Sequence, residues 1–337
     1  MLNLYKSVIL FMLIALTASA SDIHWGINGH PLRQSAYKST SLDYQLDLIE
    51  ELGMTHYRID VKLNVDGTPP STDATRLSEL ITKANSRGIT LCPVVTLPGS
   101  GTAPDAATAW ALGYDVGQQF ANDYGAHLDY YGIGNEVDNY LEPVGSGELP
   151  SQYNAAKVAV VLPYLHGMAT AIRDEDPTAE IMVSGNWIHF GFLELVDTFV
   201  YNGTSLPYDI IDWHWYSNMG DMTNINGDRG NLFDYLDDYG KPVWIGEVNR
   251  KDGNANDGSS EFSFNEDPDR NIANSQWLER FAQQAAESGI VEAFFVYELL
   301  DEPYLSDPYY TSGQCFYGLI EWIATGPYDF STPELKP

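Results

Sequence analysis

Basic residues are scarce in this chain of 337 residues. Lysine and arginine number 17 against 47 aspartates and glutamates, so the formal net charge is −30 with histidines neutral. A field of this sign repels nucleic acids and anionic membrane surfaces, and it disfavours strongly anionic polymers as ligands. The composition therefore argues against a nucleic-acid partner and favours neutral ones.

Cysteine and metal-ligand motifs are nearly absent. Cys92 lies in the apolar run "ITLCPVV" and Cys315 in the polar "TSGQCFYG". We expect two unpaired thiols, although an exported protein could join them in one disulfide. There is no CxxC or HExxH, and the 7 histidines form no cluster, so neither a metal site nor a cofactor is predicted. No strand is followed by G-x-G-x-x-G or G-x-x-x-x-G-K, the usual signatures of a nucleotide site.

A single apolar run stands at the amino terminus. Lys6 precedes "VILFMLIAL", and "TASAS" then places Ala18 and Ala20 in the A-x-A spacing of a cleavage site. This layout is typical of a secretory signal peptide, with an uncleaved membrane anchor as the alternative. We expect residues 1–20 to be removed and 21–337 to form one secreted or periplasmic domain. We find no second stretch that could span a membrane, and we expect a monomer without membrane contact after cleavage.

Runs rich in β-branched and aromatic residues recur along the chain and alternate with stretches of helical period. Predicted strands cover 23–28, 56–61, 90–95, 128–136, 180–187, 210–216, 242–248 and 291–300. Predicted helices cover 41–53, 73–88, 106–125, 154–176 and 270–289. Eight strands alternating with helices predict a (β/α)8 barrel, an α/β fold; a doubly wound open sheet is the alternative. The polar segment 250–270 is predicted to wall a cleft or to be a disordered insertion.

Two of the predicted strands end on a glutamate. "GIGNEVD" ends the fourth strand at Asn135 and Glu136, and "WIGEVN" ends the seventh at Glu247. In a (β/α)8 barrel the active site lies at the carboxyl ends of the strands, and strands four and seven are nearly opposite each other. Two carboxylates flanking a scissile bond, one held protonated and the other ionised, are what glycoside hydrolysis requires.

The motifs "GNE" on strand four, "WHWY" on strand six and "GEV" on strand seven resemble clan A of the glycoside hydrolases, a superfamily of retaining enzymes. The resemblance implies that Glu136 is the general acid/base, Glu247 the nucleophile, and Asn135 the partner of the sugar 2-hydroxyl. The chain departs from the clan at strand eight, which reads "FFVYELLDEPY" where many members have a tryptophan. That ending is most similar to glycoside hydrolase family 39, with families 5 and 53 as rivals.

Other strand ends match the same pattern. Arg58 resembles the strand-two arginine near the nucleophile, where its charge would keep Glu247 ionised; a salt bridge to Asp60 or Glu298 is the alternative. His214 and Tyr216 alternate along their strand with two tryptophans. We predict that they face the barrel interior, with Tyr216 near Glu247; a packed core histidine is the alternative for His214. Further predicted sugar contacts are Asn28, His30, Asn186, Trp187 and Glu298. The acids Glu298, Asp301 and Glu302 could also form a cation site, but a solvated loop or contacts to sugar hydroxyls are favoured over it.

Together these features predict a secreted retaining glycoside hydrolase. It would cleave β-glycosidic bonds in a neutral polysaccharide or oligosaccharide by double displacement, with no cofactor. A transglycosylase uses the same residues and differs in excluding water. A non-catalytic carbohydrate-binding barrel would keep the aromatic residues but would not need both glutamates.

Overall fold

The computed structural model describes residues 23–250, 268–300, 318–323 and 332–335. Eight strands form a closed barrel in the order β1-β8-β7-β6-β5-β4-β3-β2, and the pairings of β1 with β8, β3 with β4, β4 with β5 and β5 with β6 are parallel. The strands are β1 His24–Gly29, β2 His56–Val61, β3 Thr90–Val95, β4 Tyr130–Ile133, β5 Glu180–Asn186, β6 Ile210–Tyr216, β7 Val243–Asn249 and β8 Val291–Val296. The predicted (β/α)8 barrel is confirmed, and the open sheet is excluded.

The barrel strands are buried on both faces. Every residue of β7 is buried, and β2 and β6 each have a single residue that is not. Parallel strands covered by helices outside and side chains inside need such continuous burial, which is why they appear in the sequence as unbroken apolar runs.

Helices fill the connections between strands. They are α1 Ser35–Ser39, α2 Leu42–Glu51, α3 Ser71–Arg87, α4 Ala106–Tyr124, α5 Val137–Tyr140, α6 Ala155–Glu175, α7 Phe190–Asp197, α8 Leu232–Asp237 and α9 Pro268–Ser288. Side-chain caps start several of them: the Ser41 hydroxyl accepts from the Tyr44 amide at 3.2 Å, and the Asp105 carboxylate accepts from the Thr108 amide at 2.8 Å. These bonds satisfy amides that the first helical turn leaves unpaired.

Some features differ from the sequence predictions. Short hairpins pair Val200–Tyr201 with Thr204–Ser205 and Ile320–Ile323 with Thr332–Leu335, and neither was predicted. Helix α6 is long and apolar enough to cross a membrane by length and composition, so the expectation that no second such stretch exists was wrong. Most of its apolar window is buried inside the protein, as in the core helix of a barrel.

Several predictions fall on residues outside the described ranges. These are the signal peptide, Cys315, most of the polar segment 250–270, Asp301 and Glu302. Cys92 is described: it is a buried free thiol, and burial raises its pKa well above the ordinary value.

The chain groups into two compact units. One comprises Arg58–His214 and Tyr235–Trp244, and the other comprises the described residues of Met1–Tyr57, Trp215–Asp234 and Ile245–Pro337. The boundaries fall inside β2, β6, α8 and β7, so the strand ends are divided between the two units.

Candidate active site

Glu136 stands in a strained turn directly after β4. Gly134 and Glu136 both adopt left-handed backbone conformations, with φ of 87° and 44°. A side chain at Gly134 would meet a methyl of Val137 at 2.6 Å, so glycine is required there. A left-handed backbone conformation costs a residue such as Glu136 roughly 1–2 kcal/mol. The backbone N–H of Glu136 donates to the Ser184 hydroxyl at 3.1 Å. The turn fixes the position of the glutamate at the end of its strand.

The Glu136 carboxylate has two side-chain partners. Oε1 lies 3.1 Å from Nδ1 of His214, and Oε2 accepts from the Asn139 amide at 2.9 Å. Burial alone would raise the pKa of Glu136, but the hydrogen bonds from His214 and Asn139 and the charge of Arg58 outweigh it and lower the pKa. In the ligand-free protein the carboxylate is therefore ionised near neutral pH.

The tautomer of His214 follows from its second partner. Arg58 Nη2 donates to His214 Nε2 at 2.9 Å, and a guanidinium cannot accept a hydrogen bond. Nε2 must then be unprotonated, so the neutral ring carries its proton on Nδ1 and donates it to Glu136. His214 has no solvent exposure. It is a fully packed core histidine, and it also binds the predicted acid/base. Burial in the core and contact with a site residue are therefore compatible for His214.

Arg58, on β2, is bound to residues on β6 and to Asn135, which follows β4. Its Nη2 lies 3.1 Å from Oδ2 of Asp212 and donates to Asn135 Oδ1 at 2.8 Å. Burial raises the pKa of Asp212, yet the charge of Arg58 outweighs this and lowers it. Asp212 was not among the predicted salt-bridge partners of Arg58, which were Asp60 and Glu298. A signal was present, because Asp212, His214 and Tyr216 are spaced by two along one strand.

These residues form one hydrogen-bonded set, which we call the Glu136 cluster. Its members are Arg58, Asn135, Glu136, Ser184, Asp212 and His214. It combines one guanidinium, two carboxylates and donors of fixed orientation. Such a cluster can hold a carboxylate in place beside a reacting bond.

The tryptophans of β6 take the opposite face of the strand. Trp213 is 1% exposed and stacks on Phe190 of α7 with ring centroids 5.9 Å apart, and its indole N–H donates to the Trp187 carbonyl at 3.0 Å. Trp215 is fully buried and donates to the Gly220 carbonyl at 2.9 Å. The alternation along β6 thus separates packing residues from the polar pair His214 and Tyr216.

In the second unit, Glu247 lies on β7 and is 7% exposed. The Tyr216 hydroxyl donates to its Oε2 at 2.7 Å. Tyr216 therefore lies against Glu247, where the sequence analysis expected it. The Tyr216 ring also meets Tyr297 edge to face, with centroids 6.2 Å apart.

Tyr297 and Glu298 follow β8. The Tyr297 hydroxyl lies 3.0 Å from Nε2 of His30, and the same nitrogen is 3.5 Å from Oε2 of Glu298. Glu298 has no solvent exposure and accepts from the Tyr37 hydroxyl at 2.8 Å. The solvated-loop alternative is thus wrong for Glu298, which is a buried member of a polar network. We call Tyr216, Glu247, His30, Tyr37, Tyr297 and Glu298 the Glu247 cluster.

Asn28 has a structural task in this unit. Its amide donates to the backbone carbonyls of Gly246 at 2.8 Å and Val296 at 3.3 Å, and the side chain is 2% exposed. These bonds tie β1 to β7 and to β8. The sugar contact expected of Asn28 stays a prediction.

Asn186 and Trp187 close β5 in the first unit. The backbone N–H of Asn186 donates to Asp138 Oδ2 at 3.2 Å. Trp187 is half-buried and has a left-handed φ of 50°. The same Asp138 oxygen pairs with Nδ1 of His189 at 2.5 Å. Asp138 and His189 were missed in the sequence, where the only signal was the acid two residues after Glu136.

No protein-family model matches the sequence, and no curated protein matches it. Solved structures do match. The β-glucosidase from Thermotoga maritima in complex with deoxynojirimycin has a TM-score of 0.65 and 13% sequence identity, and the match covers 94% of this chain and 95% of that chain. The castanospermine complex gives the same values, and the family 1 β-glucosidase from the same organism gives a TM-score of 0.65 at 12% identity with the same coverage. At such identities the likeness shows that this chain shares the (β/α)8 barrel fold of these structures.

Proposed function

We propose that this chain is a secreted retaining β-glycoside hydrolase that acts on a polysaccharide or oligosaccharide. One observation carries the proposal: β6 supplies a hydrogen-bond donor to each of two glutamates that stand at barrel strand ends. His214 donates to Glu136 and Tyr216 donates to Glu247. In (β/α)8 barrel enzymes the active site lies at the carboxyl ends of the strands, which is where the sequence places each of these glutamates.

The chemistry is a double displacement. Glu247 attacks the anomeric carbon and forms a glycosyl ester, while the C–O bond to the leaving group breaks and Glu136 gives its proton to the departing oxygen. Glu136 then removes a proton from water, which attacks the anomeric carbon and releases Glu247. The sugar product keeps its β configuration because the carbon is inverted twice.

The acid step requires a proton on Glu136. The ligand-free site holds this carboxylate ionised through His214, Asn139 and Arg58, since together they lower its pKa. A bound sugar excludes water from the half-exposed carboxylate and so favours the neutral acid. Proton uptake by Glu136 therefore accompanies substrate binding.

The two clusters also offer groups that recognise a sugar. Arg58 donates to Asn135 Oδ1, which orients the amide so that its NH2 group is available to a sugar 2-hydroxyl. Tyr297, which makes an edge-to-face contact with Tyr216, offers an aromatic ring where many clan A members have a tryptophan. The shared barrel fold of the Thermotoga maritima β-glucosidases makes β-glucosides the first sugars to test.

The test is reducing-sugar release from neutral and anionic polysaccharides, oligosaccharides and β-glucosides. We expect wild-type activity on at least one neutral substrate and none above background for Glu247→Ala. Glu142→Ala is the matched control, because Glu142 is an exposed glutamate paired with Lys157. Release by Glu247→Ala at the wild-type rate would contradict the assignment, whereas binding without release by the wild type would favour the carbohydrate-binding barrel.

Product analysis separates hydrolysis from transfer. A hydrolase releases free sugar even when a second sugar is added as acceptor, and a transglycosylase forms a longer oligosaccharide in preference. The residues described here serve either reaction, so the ratio of the two products decides between them.

A further inference from the structure

We propose that Asp138, His189 and Trp187 form a binding site for the leaving sugar, so that the substrate is an oligosaccharide or polysaccharide and not a glycoside of a small non-sugar alcohol. The inference rests on the proposed function and adds to it the identity of the leaving group. It concerns residues to which no role in the reaction has been assigned beyond a general sugar contact for Trp187.

Asp138 lies two residues after Glu136 and is fully buried. Its Oδ2 accepts from the backbone N–H of Asn186 and pairs with Nδ1 of His189. Its Oδ1 has no hydrogen-bond partner among the described residues. Burial raises its pKa, and the nearby charge of Glu136 adds to this effect. A buried carboxylic group with an unpaired oxygen destabilises the fold, so we infer that Asp138, beside the predicted acid, has a role beyond packing.

His189 is held by Asp138 and presents its other nitrogen. Because the carboxylate accepts a hydrogen bond, Nδ1 carries the proton and Nε2 is an acceptor in the neutral ring. Within the described ranges Nε2 makes no hydrogen bond, although the residue is only 6% exposed. A side chain at Gly147 would lie 2.4 Å from the ring, so the loop after β4 packs tightly against it. The ring is fixed in place with one polar atom left for a ligand.

Trp187 stands beside this histidine, with ring centroids 5.7 Å apart in an edge-to-face contact. Its amide N–H donates to the His214 carbonyl at 3.3 Å, and its own carbonyl accepts from the Trp213 indole at 3.0 Å. These bonds hold the left-handed backbone and fix a half-buried indole at the carboxyl end of β5. Such a ring offers an apolar face on which a pyranose can stack.

The position of these residues favours the leaving sugar over the sugar that Glu247 attacks. Glu136 delivers its proton to the oxygen that joins the two sugars, so groups beside Glu136 border the leaving sugar. Asp138 follows Glu136 on α5, and Trp187 and His189 follow β5, which pairs directly with β4.

The experiment compares two substrates of whichever sugar the wild type cleaves: the oligosaccharide and the glycosyl fluoride. Fluoride leaves without a proton and carries no second sugar. We expect His189→Gln and Trp187→Ala to lower kcat/KM for the oligosaccharide roughly ten-fold more than for the fluoride, the effect of losing one hydrogen bond or stacking contact. The matched controls are His166→Gln and Trp110→Ala, since that buried histidine and half-buried tryptophan bond each other at 3.0 Å between α6 and α4.

The inference would be overturned if Trp187→Ala and His189→Gln lowered kcat/KM by the same factor for the oligosaccharide and for the fluoride. It would also be overturned if the control variants showed the same difference between the two substrates as the site variants. If His189→Gln does not fold, Trp187→Ala alone decides the result. Failure of the proposed function would be seen separately. In that case Glu247→Ala would hydrolyse the glycosyl fluoride as fast as the wild type does.

Discussion

Tyr216 donates a hydrogen bond of 2.7 Å to Glu247, and two residues earlier on the same strand His214 lies 3.1 Å from Glu136. Successive residues of a strand point to opposite faces, so residues two apart share a face. A single strand, β6, therefore orients both proposed catalytic carboxylates.

Replacing Tyr216 with phenylalanine removes the donor to Glu247 and keeps the ring. We expect kcat to fall about 10- to 100-fold with little change in KM, because a nucleophile that is no longer held in its attacking position reacts more slowly. Steady-state kinetics on the preferred substrate measure this. Tyr114→Phe removes a hydroxyl bonded to Asp174 and serves as the control. An unchanged kcat for Tyr216→Phe would contradict the orienting role.

Replacing Glu136 with alanine should affect substrates according to their leaving groups. Proton transfer contributes roughly 10²- to 10⁴-fold, and poor leaving groups depend on it most. We expect a large loss on an oligosaccharide and a small loss on the first step with a dinitrophenyl glycoside, followed by slow release of the sugar. Pre-steady-state release of dinitrophenol measures the first step. Equal losses on both substrates would exclude Glu136 as the acid.

Replacing His214 with alanine should raise the pKa of Glu136, because the His214 hydrogen bond is the largest of the effects that lower it. The alkaline limb of kcat/KM against pH reports the free-enzyme pKa of the essential acid. We expect that limb to move to higher pH in His214→Ala, and to move less in Asn139→Ala, which loses the weaker of the two hydrogen bonds. A limb that stays in place would show that another group titrates there.

His56 should make stability depend on pH. Burial and then the neighbouring His24 lower its pKa to about 4 from the ordinary 6.5, so between these values the unfolded chain binds more protons than the folded one. The free energy of unfolding should therefore fall by about 3 kcal/mol as the pH drops from 6.5 to 4. Urea unfolding at pH 6.5 and pH 4 measures this fall. His56→Gln should show a smaller fall, and an equal fall would contradict the assignment to His56.

Much of the fold could be predicted from the sequence because buried parallel strands have a simple signature. The bounds predicted for β2, β3 and β6 match the structure. The fourth strand was predicted to run to residue 136 and ends at Ile133, because Gly134 and Glu136 turn into left-handed conformations. An apolar, glycine-containing run does not reveal where its backbone leaves the sheet.

The site was predictable only in part. Glutamates at strand ends carry a local signal, and their placement follows from the barrel. The Arg58–Asp212 pair and the Asp138–His189 pair join residues 154 and 51 positions apart, so nothing in the local sequence shows that they meet. Burial decides such pairs, since an unpaired charge in the core is unfavourable.

Trapping of the covalent intermediate tests the central claim most directly. The wild-type enzyme would be incubated with the 2-deoxy-2-fluoro glycosyl fluoride of its preferred sugar, whose fluorine slows both steps, and then examined by mass spectrometry. We predict a mass increase of one fluorosugar, carried by the peptide that contains Glu247, and no labelling of Glu247→Ala. A label on any other residue, or turnover with inversion and no label, would contradict the double-displacement account.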